Sequence, residues 1–273
     1  HGELPLPSPT IQYIHHPFLN RWQGDHYKID SWSGSILNKL LTKYINGTIE
    51  AISQTTILTN SEWSARQLQI IYGINPKVVY PPVHTELFEP LSWNKRENGF
   101  VTVGRIAPDK KTLDACHIVN ILREKGYDVH LHLVGPKGND ESFYREVQEY
   151  AKAHRWITLE GQISQRELSQ LIESHRWRLH MKPWEHFGMV VAEFVAGGMI
   201  PFVPNSGGQT EIVNNNQLVV YESIGEAIDQ ISSLLDSPTA VSSIKSSFPD
   251  PDKKFSVERF QNEIRREINS SLS

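Results

Sequence analysis

The sequence is short of cysteine, of long apolar runs and of surplus positive charge. Cys116 is the only cysteine among 273 residues. An internal disulfide framework is therefore excluded, and the lone thiol suits a reducing compartment, so a cytoplasmic location is the expectation. The most apolar run, residues 189–203, is interrupted by Glu193 and is shorter than the roughly 18 to 20 residues a membrane span needs. Residues 2–9 are proline-rich and lack the charged and apolar regions of a secretory leader. The formal net charge is -4, which leaves no global basic field to hold nucleic acid or anionic lipid. There is no internal repeat and no low-complexity tract. The chain opens on His1 rather than methionine and is expected to be a piece of a longer polypeptide.

What is present is an alternation of strand and helix patterns from about residue 50 onward, which predicts an α/β fold with parallel sheets. The run "TTILTN" reads as a strand, and Ser61 caps a following helix with Leu68, Ile71 and Tyr72 inward and Gly73 at its end. "KVVYPPV" reads as a strand stopped by two prolines. A domain boundary is expected near residue 90. The second part restarts with "GFVTVGRI", a helix over 112–125, and the strand "YDVHLHLVG", in which Tyr127, Val129, Leu131 and Leu133 alternate with polar residues. Asn139 or Asp140 caps the next helix, and Ser164 with Glu167 forms a capping box. Residues 256–272 place Val257, Phe260, Ile264 and Ile268 on one stripe that needs a partner. The first 90 residues hold one convincing βα unit, a Trp- and Gly-rich stretch over 21–34 and a helix over 36–48. They offer too few strands for a sheet domain, so a partner chain supplying the missing strands stays open.

Ligands of open parallel sheets sit beyond the carboxyl ends of the strands, facing helix N-termini. One such junction is "FVTVGRIAPDKK": Gly104 lets the backbone turn, and Arg105 and Lys110 reach a common anion. Two cations there suit a diphosphate without a metal; the plainer reading is a solvated loop. The other junction is "EHFGMVVAEFVAGG", a helix from about Gly188 to Ala196 with Glu185 at its mouth. The N–H groups of Phe187, Gly188 and Met189 form a cradle for phosphate or sugar oxygens. Glu193, in an otherwise apolar helix, must face water or a polar ligand. The plainer reading is a dipole-favoured acid and a solvent-facing one.

Together, "GRIAPDK" and "EHFGMVVAE" resemble the paired signature of family 4 retaining glycosyltransferases of the GT-B fold. "TNSEW", "VVYPPV", "LEGQIS" and "NSGGQTEIV" extend the likeness over most of the chain from Tyr13. The resemblance implies two Rossmann-like domains, the first incomplete: residues 1–90 as the remainder of an acceptor-side domain and 91–273 as a nucleotide-sugar donor domain. The helix over 255–273 would cross back to the first. It implies that Arg105 and Lys110 grip the donor diphosphate, Glu185 the transferred sugar and Glu193 the ribose. Gly104 and the backbone of Phe187, Gly188 and Met189 would lie by the phosphates, and Gly161, Gln162 and Ile163 by the base. In "YIHHPF", His15, with His16 beside it, matches the histidine that points into the cleft, toward the sugar or acceptor region. The family's opening strands and Gly-rich first loop are absent here. "HMKPWEHFGMVV", with His180, resembles the α-1,2-mannosyltransferases of dolichol-linked oligosaccharide synthesis and favours a GDP-mannose-like donor over UDP sugars.

The expectation is therefore transfer of a hexose, mannose favoured, from a nucleoside-diphosphate sugar to a hydroxyl acceptor that is a glycan, a lipid-linked glycan or a small molecule. No cofactor and no metal are expected. Peripheral membrane contact through a lipid-linked acceptor stays open. Two alternatives remain: a nucleotide-sugar-binding module that needs a partner chain, and an epimerase or phosphorylase on the same fold. His130 and His132 resemble half a metal site, but no third ligand is identifiable in the sequence. "DPD" at 250–252 reads as the turn that opens a helix. "NGT" at Asn46 and "NSS" at Asn269 match glycosylation sequons but fall in predicted helices. Trp184, next to Glu185, is a candidate cleft wall.

Overall fold

The computed structural model describes residues 10–15 and 55–272, which divide into two compact units. The stretch 21–34, the helix expected over 36–48 and His16 lie outside the described residues. In the first unit three parallel strands, β1 (Ile11–Ile14), β2 (Thr56–Thr59) and β3 (Lys77–Val78), form a sheet with β2 in the middle. Helix α1 (Glu62–Tyr72) starts where Ser61 accepts the Ser64 N–H at 3.0 Å and stops at Gly73. It buries Leu68 and Tyr72 against Ile14 and Ile57. Only Lys77 and Val78 of the expected "KVVYPPV" strand pair as a strand. Val79 adds one more bond to Thr59, and Pro81 and Pro82 have no N–H to extend the ladder.

The same unit contains the final helix, Val257–Leu272. Phe260 sets its ring edge-on to Tyr13 with centroids 5.9 Å apart. Lys77 pairs with Glu267 at 2.6 Å, and Arg259 donates to the Tyr80 carbonyl. Of the predicted stripe, Val257, Phe260 and Ile264 are half-buried, while Ile268 is 43% exposed. Polar contacts fix this helix as much as its apolar face does.

The second unit is one six-stranded parallel sheet wrapped by helices. In chain order it runs β4 (Glu97–Val103), α2 (Thr112–Glu124), β5 (His130–Val134), α3 (Glu141–Ala153), β6 (Ile157–Gly161), α4 (Gln165–Ser174), β7 (His175–Leu179), α5 (Met189–Ala196), β8 (Ile200–Pro204), α6 (Gln209–Ile212), β9 (Val220–Tyr221), α7 (Ile224–Asp236), α8 (Pro238–Ser247) and α9 (Pro251–Phe255). The strand order is β6-β5-β4-β7-β8-β9. The chain thus builds from β4 to one edge, returns to the centre at β7 and builds to the other edge. That reversal makes the gap beyond β4 and β7 a topological switch point, the place where an open sheet binds ligands.

Local signals set the helix boundaries. Asp140 accepts the Phe143 N–H at 3.0 Å, Ser164 and Glu167 close their capping box, and Asp250 caps α9, so "DPD" opens a helix. Phe88 packs with Val101, Val134, Ile172, Phe194 and Met199. Its place in that core draws 83–90 into the second unit, which begins at Val83. Arg96 is 3% exposed and ties the core's rim together. It donates to the carbonyls of Leu91 at 3.0 Å, His175 at 3.0 Å and Gly197 at 2.7 Å. Burial lowers its pKa to about 10.

Candidate functional site

Three loops are laced together at the carboxyl ends of β4, β5 and β6. The Gly104 N–H donates to the Val134 carbonyl at 2.9 Å, Ile106 N–H to Pro136 at 2.9 Å, and Gly135 N–H to Gly161 at 2.7 Å. This brings the segments carrying Arg105 and Lys110 beside the end of β6, where Gly161, Gln162 and Ile163 lie. Gln162 is exposed, whereas the Ile163 side chain packs on the Phe88 and Phe194 core, leaving chiefly its backbone available.

Across the switch point, the loop after β7 is pinned to the loop after β8. Glu185 bridges to Gly207, and the Gly208 N–H donates to the Glu185 carbonyl at 2.8 Å. The Trp184 N–H donates to the Ser206 hydroxyl at 3.2 Å. The loop ends at Gly188, whose φ of 95° would strain any other residue, and α5 begins there with no side chain capping its N-terminus. The Phe187 side chain is buried against Phe255, and Met189 is 46% exposed.

The two junctions meet in one ion pair. Lys110 Nζ donates to Glu185 Oε1 at 3.1 Å, and Lys182 Nζ lies 3.5 Å from the same oxygen. Arg105 is exposed and lies 3.6 Å from Asp109. The cations expected to face a common anion therefore differ in their partners: Lys110 pairs with a carboxylate of the opposite junction, and Arg105 with one of its own loop.

Behind this pair is a charged group that sequence reading missed. Arg178, next to the end of β7, is 1% exposed; its guanidinium lies over the Phe194 ring at 4.2 Å and 3.1 Å from His180 Nδ1. Burial lowers its pKa to about 10. Burial, with the cations of Arg178, Lys110 and Lys182 nearby, holds His180 well below the usual histidine range, so it is neutral at pH 7. Glu193, half-buried on α5, is shifted the other way: burial raises its pKa, and the Arg178 charge partly offsets the rise. The acid predicted to face water or a ligand thus also faces a buried cation. An arginine between Trp177 and Leu179 in a core strand gave no local signal, because its partners come from α5 and the following loop.

A cavity of ≈ 390 Å³ opens next to the pair, with Lys111, Trp184, Ser206, Tyr221 and Glu222 among its walls. Trp184, 64% exposed with φ 60°, forms part of it. His15 belongs to the first unit, exposed at the end of β1, with its ring edge-on to Tyr13 at 5.0 Å. Among the described residues, the group able to hold a metal ion is His130, His132 and His175, so topology supplies the third ligand that sequence reading did not find.

Comparison with known proteins agrees with this layout. The sequence profile of the family glycosyl transferases group 1 matches residues 83–247. A GDP-Man:Man(3)GlcNAc(2)-PP-Dol alpha-1,2-mannosyltransferase of Dictyostelium discoideum is 25% identical, over 97% of this chain and 60% of that protein. The Mus musculus protein of the same name is 28% identical, over 62% of this chain and 37% of its own length. The chain therefore spans between about a third and three fifths of the curated relatives it matches. Among solved structures, Anabaena Alr3699/HepE in complex with UDP superposes with a TM-score of 0.75 at 15% identity, covering 96% of this chain and 72% of that one. A glycosyltransferase from Rickettsia africae reaches 0.67 at 18% identity, covering 80% and 64%. At these identities the likeness concerns the fold, the parallel-sheet α/β architecture of GT-B enzymes.

Proposed function

Because the chain belongs to the glycosyl transferases group 1 family, we propose that it moves a hexose from a nucleoside-diphosphate sugar to a hydroxyl acceptor with retention at the anomeric carbon. The observation that carries this reading is the meeting of Lys110 and Glu185, from two different strand ends, at the switch point in front of α5. In the reaction the bond between the anomeric carbon and the diphosphate breaks, and the acceptor oxygen bonds to that carbon as it gives up its proton. Negative charge grows on the departing diphosphate. Lys110, Arg105 and the backbone at Phe187, Gly188 and Met189 stabilise it, fixed donors being worth most where charge develops. No metal is needed for that task. Glu185 accepts hydrogen bonds from the sugar and Glu193 from the ribose, while the backbone over 161–163 lies by the base. His15 serves the acceptor, as base or hydrogen-bond donor.

Mannose from GDP-mannose is the favoured donor, supported by the names of the relatives and by His180 before the Glu185 motif. The acceptor is a glycan or lipid-linked glycan. Among the described residues no helix is long and apolar enough to cross a membrane, and this reading places the protein in the cytoplasm with peripheral contact to the membrane that carries its acceptor.

The test is calorimetric titration of the chain with GDP, UDP, GDP-mannose and UDP-glucose, with and without chelator. Tighter binding of the guanine nucleotides, unaffected by chelator and weakened in Glu193→Ala, is the expected result. Failure of all four to bind the folded chain would remove the donor-site assignment, and loss of binding with chelator from a chain that stays folded would overturn the metal independence of the donor site.

A further inference from the structure

Three histidines with no part in the reaction above meet at the other ends of the strands. His130 and His132 share one face of β5, His175 opens β7, and β4 runs between those two strands. At the register position opposite His130, β4 carries Gly99, where a Cβ would overlap both the His130 and His175 rings. A glycine inside a central strand weakens it and packs nothing. Here it leaves room for imidazoles. The ligand nitrogens of the three rings all lie within 4.8 Å of one another, and His130 Nε2 is 3.1 Å from His175 Nε2. Three nitrogens bound to one tetrahedral ion at about 2.0–2.1 Å stand roughly 3.4 Å apart, so small ring rotations suffice.

The hydrogen bonds around the cluster set its tautomers. His132 Nδ1 lies 2.6 Å from Glu160 Oε1, and His175 Nδ1 lies 2.8 Å from the Leu171 carbonyl. Both oxygens accept, so Nδ1 carries the proton on each ring and Nε2 presents its lone pair to the cluster. Oxygens placed behind imidazoles in this way orient metal ligands and raise their basicity. Glu97 brings a carboxylate to 3.6 Å from His130 Nε2, within reach of a fourth position. The nearby Arg123 cation is already paired with Asp128.

We propose that His130, His132 and His175 hold one divalent ion of the zinc class, joining β5 to β7 across Gly99 of β4. Imidazoles with one carboxylate nearby suit zinc better than magnesium or calcium, which take all-oxygen sites. The ion lies at the amino ends of these strands, whereas Lys110 and Glu185 follow the carboxyl ends, so its role is to brace the sheet rather than to act on the donor.

The experiment is titration of the tag-free, chelator-stripped chain with Zn²⁺ by calorimetry and with Co²⁺ by visible absorption. One equivalent of Zn²⁺, a rise in melting temperature, and the intense visible bands of four-coordinate Co²⁺ are expected. Gly99→Ala and His132→Gln should abolish stoichiometric binding, and Glu160→Gln should weaken it about 10- to 100-fold. Folded variants that bind Zn²⁺ as tightly as the parent overturn the proposal. If the variants do not fold, the parent alone decides: weak, six-coordinate Co²⁺ absorption or no stoichiometric uptake of Zn²⁺ overturns it equally.

Discussion

Replacing Glu185 by glutamine should tighten the binding of a nucleoside diphosphate while slowing sugar transfer. One Glu185 oxygen lies 3.1 Å from Lys110 Nζ and 3.5 Å from Lys182 Nζ, so the carboxylate competes with any diphosphate for the same ammonium groups. Coulomb's law at an effective dielectric near 20 gives each pair about 5 kcal/mol as a gross ceiling. The side chains retain between 22% and 33% of their exposure. Solvent screening and side-chain entropy therefore bring the net worth down to about 1 kcal/mol per pair. Releasing two partly freed ammonium groups to an incoming diphosphate should gain about 1.4 kcal/mol, or about tenfold in affinity. Calorimetric titration of Glu185→Gln with GDP and UDP at about 0.1 M salt reads this directly, and the gain should shrink at about 1 M salt as screening shortens. On the proposed reading, in which Glu185 accepts hydrogen bonds from the sugar, turnover with GDP-mannose should fall. A Glu185→Gln protein that binds the diphosphate no better than its parent would refute the competition and remove Lys110 from the diphosphate site.

Arg96→Met should lower stability by about 4 kcal/mol, since charge-assisted hydrogen bonds to the Leu91, His175 and Gly197 carbonyls are lost and the last two carbonyls stay buried. The urea midpoint measures this, and a change under about 1 kcal/mol would mean that the carbonyls find other partners. His180 makes stability pH-dependent in a definite sense. Its folded-state pKa lies well below the usual 6.5, so the unfolded chain takes up a proton that the folded chain refuses. Stability should be complete above pH 6.5 and fall below it, by up to about 1.4 kcal/mol per pH unit for this group alone. His130 and His175, also lowered, add to the same slope. Denaturation followed from pH 7.5 to 5 should show a shallower slope in His180→Gln than in the parent, and equal slopes would mean that His180 titrates normally.

Much of the second unit could be read in advance because its signals are local. The Ser164 and Glu167 capping box, the Asp140 cap, the alternation of Leu131 and Leu133 with His130 and His132, and Gly188 at the mouth of α5 each depend on neighbours within a turn. Glu185 and Lys110 were legible as separate junctions. Their contact was not, because it arises from strand order, which puts β7 beside β4 although β5 and β6 intervene in the chain. The same nonlocality hid Arg178 within "RWRL" and kept His175 from being recognised as the companion of His130 and His132. Arg96 gave no sign of its task, since the carbonyls it gathers, those of Leu91, Ile172, His175 and Gly197, come from three separate stretches of chain. Strand ends moved for a simpler reason: prolines at 81 and 82 cannot donate, so β3 closes after Val78.

The return of the final helix to the first unit sets an order of assembly. Residues Val83–Ser256 form a continuous unit that holds every strand of its sheet, whereas the first unit is interrupted and takes in Val257–Leu272 only after all of the second has been made. On a ribosome, the second unit has its whole sequence available while Tyr13, Lys77 and the Tyr80 carbonyl still wait for Phe260, Glu267 and Arg259. A unit begun before the second is therefore completed after it.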